Sequence, residues 1–211
     1  MAIQKWQKIR TKRVWDGWQK VDLTTFKLPN GKLKDFDIIS PKAEVVSVVG
    51  ITKNKQAVLI RIFRPGPEKV FYEFPLGLTE KGESPTAAAK REFLEETGFA
   101  IGKLKKIGVS YLSSYETVKI HCFLATDCWQ KTKELDLDPS EFIEVKLVFL
   151  AKLKQMLKKC QVRNFGEGYL ALDNYFNNNK GIFDLADKFR PKKVKNVLQI
   201  RKRMARSCLP R

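Results

Sequence analysis

Residues 77–99 read GLTEKGESPTAAAKREFLEETGF, and the order of small, acidic and helix-breaking residues in this stretch decides the local fold. Ser84 has the short oxygen-bearing side chain of an N-cap, Pro85 suits the first helical position, and Gly98 is a natural left-handed terminator. A helix of about three to four turns is predicted between them. Gly77 and Gly82 mark a loop that turns tightly before it. Within the helix, Glu92, Glu95 and Glu96 share one face. Glu92 and Glu96 are like charges four residues apart, and each such pair costs an isolated helix about 0.2–0.5 kcal/mol. A bound cation would reverse the sign. Carboxylate oxygens without His or Cys suit Mg²⁺ or Mn²⁺, and Mg²⁺ binds through a few carboxylates plus substrate phosphates, so the implied substrate is phosphorylated. Arg91 lies four residues before Glu95, and its fixed fork of donors is suited to hold that carboxylate.

A solvated acidic face is the plainer account of three glutamates this close together, and the spacing argues against it. Gly77, Glu83, Arg91, Glu92, the apolar Phe93, Glu95, Glu96, Gly98 and Phe99 follow at fixed intervals. This run resembles the complete signature of the Nudix hydrolases, with no position departing from it.

Outside this stretch the chain reads as an ordinary globular protein. Its 211 residues, 43% of them hydrophobic, favour one domain with an appendage and a core that needs no disulfide or metal staple. No apolar run approaches the ~20 residues that span a bilayer, and MAIQKWQKIRTKR lacks the apolar core of a signal peptide, so no membrane association and a cytoplasmic location are expected. Cys122, Cys128, Cys160 and Cys208 form no CxxC pair, which fits reduced thiols. A zinc site or a Ser-His-Asp triad would have to be built on His121, the single histidine. It falls in VKIHCFLA, a predicted strand in which His121 and Cys122 face opposite ways, so a packed or surface histidine is expected. The net charge of +18 is uneven: residues 188–211 hold ten basic side chains and no acidic one. Such a tail attracts polyanions, and weak nucleic-acid binding is one expectation for it.

Three segments are predicted: an N-terminal arm and small β-sheet (1–40), a core (41–176) and a basic C-terminal extension (177–211). Residues 1–13 read as a basic arm that packs only against something else. WDGWQKVDLTTFKLPNGKLKDFDIIS reads as two strands around Pro29-Asn30-Gly31. EVVSVVGI and QAVLIRIFR are β-branched runs suited to buried strands of a central sheet, and VFYEF leads into the Gly77 loop. KKIGVSYLSS, VKIHCFLATDCW and FIEVKLVFL read as further strands, with AKLKQMLKK and GYLALDNYF as helices. Residues 177–181 look like a linker, and Val194, Val197, Leu198 and Met204 in the tail are compatible with one helical stripe.

The resemblance carries these elements to a fold. It implies an α/β architecture, a mixed β-sheet sandwiched between helices, with a small N-terminal antiparallel sheet and a basic C-terminal tail. Over residues 18–176 the chain looks like the ADP-ribose pyrophosphatase branch, in GWQKVDLTTFKLPNGK, FRPGPEKVFYEFPLGL and EFIEVKLVFL. For that branch the resemblance implies metal ligands at Glu92, Glu95 and Glu96 and at the backbone carbonyl of Leu76, where related enzymes usually have a smaller side chain. A general base comes from a glutamate on a loop after the signature stretch 77–99, the box, here Glu141 or Glu144. If FIEV is a strand, Glu141 lies at its mobile end and is favoured. Arg64 and Glu73 match substrate-contacting positions, Arg64 as a phosphate clamp. Trp18 and Phe36 fall where aromatic rings sandwich adenine, with Asp37 where an acid accepts a hydrogen bond from the base. In the related homodimers the N-terminal sheet is exchanged between subunits.

The branch usually carries a proline-containing loop beyond the box, whereas this chain has Ser113-Ser114-Tyr115-Glu116-Thr117. Tyr115 stands near a tyrosine of Nudix enzymes that cleave dinucleoside polyphosphates. The resemblance therefore implies a Mg²⁺-dependent pyrophosphatase that cleaves ADP-ribose or a related nucleoside diphosphate sugar. A dinucleoside polyphosphate hydrolase and a non-catalytic nucleotide- or RNA-binding module are the alternatives.

Overall fold

A computed structural model describes residues 3–41 and 43–177. The predicted linker beyond Asn177, the basic extension and its apolar stripe lie outside the described residues.

The two β-branched runs form the centre of the molecule. They become β4 (Val45–Thr52) and β5 (Gln56–Arg64), and every residue of β4 is buried, because helices cover both faces of its sheet. Around them stand β6 (Lys69–Glu73), β7 (Leu76–Leu78), β8 (Phe99–Ala100), β9 (Lys103–Tyr111), β10 (Lys119–Gln130) and β11 (Ile143–Phe149). The order is β11-β5-β4-β10-β8, with β6 on β5, β7 on β4 and β9 on β10. The β4–β10 pairing is parallel and the others are antiparallel, so the sheet is mixed.

Three helices follow from the strands they cover. On one face, Ala88, Ala89 and Phe93 of α1 (Pro85–Thr97) pack with Val46, Val48, Val58, Phe123 and Ala125. Gly50 allows this contact, since a Cβ there would lie 2.2 Å from the Phe93 ring. Removing the buried ring would cost about 3–5 kcal/mol. The alternate residues of the same strands, Val45, Ile120 and Cys122, face the other way and meet Leu170 of α3 (Phe165–Asn177). Between these helices in sequence lies α2 (Leu150–Lys158), which buries Leu153 and Leu157. This is the expected α/β sandwich. Among the described residues no helix is long and apolar enough to cross a membrane.

The N-terminal sheet has the order β1-β2-β3, from β1 (Gln7–Asp16), β2 (Lys20–Lys27) and β3 (Leu33–Ile39). The hairpin around Pro29-Asn30-Gly31 forms as predicted, with Gly31 at φ 82°. The first segment departs from its reading as an arm, because residues 7–16 pair with β2 along their length. Register shifts between Lys8 and Arg10 and between Arg13 and Trp15 break the two-residue alternation, and all ten residues are exposed. No buried face marks this strand in the sequence. The loop at 113–117 ties the small sheet to the core, with Ile39 N–H on the Tyr115 carbonyl and Thr117 N–H on the Ile39 carbonyl, both at 2.9 Å.

His121 is packed, 7% exposed, with Nε2 2.6 Å from Glu44 Oε2. Cys122, Cys128 and Cys160 are free thiols. Burial pushes Cys122 up to about 11 and Cys128 up to about 12, which leaves both unreactive.

Candidate active site

Helix α1 forms for local reasons and thereby presents the acids. Ser84 Oγ accepts the Ala87 N–H at 3.2 Å, Pro85 opens the helix, and Gly98 closes it at φ 72° with its N–H on the Leu94 carbonyl at 2.7 Å. These are the boundaries predicted from the spacing. A cap of this kind contributes about 1 kcal/mol.

Arg91 is the hub of the acidic face. Its Nε and Nη2 fork onto Glu83 at 3.1 and 2.9 Å. Nη1 reaches both Glu92 and Glu95 at 2.9 Å, and Nη2 also donates to the Leu78 carbonyl at 2.9 Å. The expected Arg91–Glu95 contact is thus one of several, and the same side chain pins the preceding loop to the helix. Arg91 holds the Glu83 carboxyl below its ordinary value.

Backbone donors hold Glu92 a second time and take Glu96. Leu78 N–H donates to Glu92 Oε1 at 3.1 Å, and Leu76 N–H donates to Glu96 Oε2 at 3.0 Å. The backbone at Leu76 therefore lies against the acidic face. Gly77 stands between these two amides, where a Cβ would fall 1.9 Å from Glu92 Cδ, so only glycine fits. Glu96 is 3% exposed. Burial pushes its carboxyl well above the usual range, and the charges of Glu92 and Glu141 add to this against the Leu76 N–H. Glu92 is raised as well, by burial, with Arg91 opposing.

Buried carboxylates whose charged form is disfavoured, with oxygen donors only, fit a hard divalent cation such as Mg²⁺ or Mn²⁺. Among the described residues, no three His, Cys, Asp or Glu side chains form a preassembled ligand set. In this arrangement Arg91 draws Glu92 and Glu95, while the Leu78 and Leu76 amides hold Glu92 and Glu96.

Arg64 and Glu73 meet beside this face. Glu73 is 0% exposed and receives Arg64 Nε at 3.1 Å and Arg64 Nη2 at 2.8 Å. The guanidinium of Arg64 is near enough to Glu96 and Glu141 for their charges to raise its pKa, though Glu73 dominates. Sequence reasoning missed two residues here. Arg163 also forks onto Glu73, and Asn164 accepts the Phe74 N–H at 2.9 Å while donating to the Phe74 carbonyl and Ser47 Oγ, both at 3.3 Å. Arg163 lies ninety positions from Glu73 at the end of β6, and Asn164 ninety from Phe74 just beyond it, separations at which no local spacing signals the contact.

The two candidate bases have different surroundings. Glu141 precedes β11, with its own N–H on the Asp138 carbonyl at 2.8 Å, and its charge acts on both Glu96 and Arg64. Glu144 sits within β11, paired with Lys146 and, at 2.7 Å, with Arg61. Those cations, Lys146 foremost, hold its carboxyl below the ordinary value.

The residues matched to adenine binding do not converge within one chain. Trp18 is 90% exposed in the turn between β1 and β2. Phe36 lies three residues along β3 from the Ile39 end, or ~10 Å, and packs among Trp6, Phe26 and Tyr115. Asp37 is exposed on the next position, which faces the opposite side of the sheet.

The fold and the acidic helix together define a class. Residues 41–165 match the NUDIX domain family, and the chain belongs to the Nudix hydrolases. It is 33% identical to the ADP-ribose pyrophosphatase of Bacillus subtilis (strain 168) over 143 residues, 67% of this chain and 77% of that protein. It is 28% identical to the ADP-ribose pyrophosphatase of Saccharomyces cerevisiae over 186 residues, 76% and 79% of the two chains. A crystal structure of an ADP compounds hydrolase shares the fold with a TM-score of 0.73 at 24% identity, covering 85% of this chain and 98% of that one.

Proposed function

We propose that this chain is a Mg²⁺-dependent pyrophosphatase, active also with Mn²⁺, that hydrolyses ADP-ribose or a related nucleoside diphosphate sugar to a nucleoside monophosphate and a sugar phosphate. The observation that carries the reading is the single face on which Arg91 holds Glu92 and Glu95 and the Leu76 backbone meets Glu96, with Arg64 and Glu141 near enough for their charges to act on Glu96. The names of the relatives at 33% and 28% identity support the substrate class.

Glu92, Glu95, Glu96 and the Leu76 carbonyl would hold the cation, which when bound supplies a more nucleophilic water and a less anionic diphosphate. Arg91 fixes the acids and the loop before them. Arg64 holds a phosphate oxygen through the part of its guanidinium that Glu73 does not use. Glu141 accepts the proton of the attacking water as the bond to phosphorus forms. Its loop position, where its carboxylate accepts the Asp138 N–H and lies within reach of the charges of Glu96 and Arg64, suits it to that role, whereas Glu144 is paired with Lys146 and Arg61. Phe36 stacks on the base, a contact worth ~1–3 kcal/mol, with Trp18 contributed across subunits, while Asp37 on the opposite face of β3 is not assigned to the same base.

These roles fit a homodimer that exchanges its N-terminal sheets, with Trp18 serving the second site. In support, β1 is an edge strand with ten exposed residues, among them Ile9, Val14 and Trp15, and such an edge is a template for another chain. The basic extension after residue 177 is proposed to bind polyanions weakly.

A second reading, dinucleoside polyphosphates as substrate, rests on Tyr115, whose ring stacks on Phe36 at 6.3 Å and 22°. A purely binding module would tolerate loss of the box acids, and here all are present. Purified protein assayed with ADP-ribose, other nucleoside diphosphate sugars and diadenosine polyphosphates separates these readings by the product released. Absence of Mg²⁺-stimulated nucleotide release from every compound would reject an enzymatic role.

A further inference from the structure

Glu73 carries more positive charge than it needs. The carboxylate ends β6 without solvent exposure, and both arginines address both of its oxygens. Arg64 places Nε on Oε1 and Nη2 on Oε2, and Arg163 does the same at 2.5 and 2.8 Å. Burial opposes the charged carboxyl, but the two arginines outweigh it and hold the group below its ordinary value. One bidentate arginine already makes a neutral pair. The second gives the triad a net charge of one positive unit. Neither guanidinium uses Nη1 on Glu73, and Arg64 is the member that the charges of Glu96 and Glu141 reach.

The side chain of Arg163 is not what docks its own segment. Its backbone N–H donates to the Tyr72 carbonyl at 2.9 Å, Val162 bridges to Tyr72, and Asn164 fastens Phe74 and Ser47. All of these contacts survive a change of side chain at 163. Docking of the segment therefore does not need that guanidinium, whose bonds go to the buried Glu73.

We propose that Arg163 is a positioning residue for the diphosphate of the substrate: it shares the charge of Glu73, so that Arg64 keeps positive charge that Glu73 does not cancel and presents it to a phosphate oxygen beside Glu96. The inference rests on the reading of Arg64 as a phosphate clamp. It assigns Arg163 to diphosphate affinity and not to bond breaking.

The test uses the full chain with Mg²⁺ and α,β-methylene-ADP, a nucleoside diphosphate that resists hydrolysis, titrated calorimetrically, alongside KM and kcat on ADP-ribose. Arg64→Gln and Arg163→Gln are each expected to weaken binding by roughly ten- to a hundredfold. For Arg163→Gln, KM should rise in parallel while kcat stays within about threefold. Arg163→Lys, which keeps the charge, should recover most of the affinity. The double variant Glu73→Gln/Arg163→Gln removes the buried charge together with its second partner and restores one positive unit, so it too should bind better than Arg163→Gln alone. It also covers the case in which Arg163→Gln alone fails to fold, when it should bind within about tenfold of wild type. Weak binding by a folded double variant overturns the charge argument. Unchanged binding by Arg163→Gln with weakened binding by Arg64→Gln overturns the inference and leaves the clamp standing. No binding by the wild type, or no effect of Arg64→Gln, overturns the clamp and the inference with it.

Discussion

Glu96 concentrates the conflict on which the site is built, since it is a buried acid facing other acids. Its folded, metal-free pKa is raised above that of the unfolded chain, so protonation favours folding. That contribution is complete below the unfolded value, about 4.3, and is lost as pH rises through the folded value. Metal-free protein should therefore lose thermal stability as pH climbs above the ordinary carboxylate range, and Glu96→Gln should flatten that slope in a calorimetric pH series. At neutral pH the variant should melt at or slightly above the wild-type Tm. A large drop would identify Glu96 as mainly structural. Gly77→Ala tests the neighbouring constraint, since its Cβ would collide with Glu92 at 1.9 Å from Cδ. Activity should fall by on the order of a hundredfold, the effect of losing one well-placed polar group, while circular dichroism shows an intact fold; wild-type turnover would contradict the collision. These residues were legible because their spacing is local, four residues on one helix face. Arg163 and Asn164 were not, because each acts on a partner about ninety residues away.

At the scale of elements, β11 and the loop before it separate two glutamates only three residues apart. Glu141 faces the acidic site electrostatically, and Glu144 is engaged by Lys146 and Arg61 on the strand. Glu141→Gln should lower kcat by about 10²–10⁴-fold, the range for general acid–base groups, with Mg²⁺ affinity nearly unchanged. Glu144→Gln should stay close to wild type in both. The reverse pattern in steady-state kinetics and metal titration would exchange their roles. Strands with a buried face, such as β4 and β5, were readable from their β-branched runs. The strand β1 was not, because two register shifts break its alternation and no face is buried, and β7 is three residues long inside what read as a loop. Helix α1 was readable to its ends because Ser84, Pro85 and Gly98 terminate it by their own chemistry.

For the whole molecule, every residue assigned to metal, base or nucleotide precedes position 177. Truncation after that residue should leave kcat/KM for ADP-ribose within about threefold, while any affinity for nucleic acid disappears. In the full chain that affinity should fall steeply with added salt, as counterion release requires. A folded truncation that hydrolyses nothing would make the extension part of the catalytic architecture, and salt-independent binding would reject a phosphate-backbone contact. The central claim is that the acidic face of α1 is a cation-dependent hydrolytic centre for nucleoside diphosphate compounds. Its most direct measurement is AMP release from ADP-ribose by wild type and Glu96→Gln, each with Mg²⁺ and with chelator. The account predicts release by the wild type only with Mg²⁺, and a loss on the order of a hundredfold or more in the variant. Release that survives chelation, or a variant as active as the wild type, would contradict it.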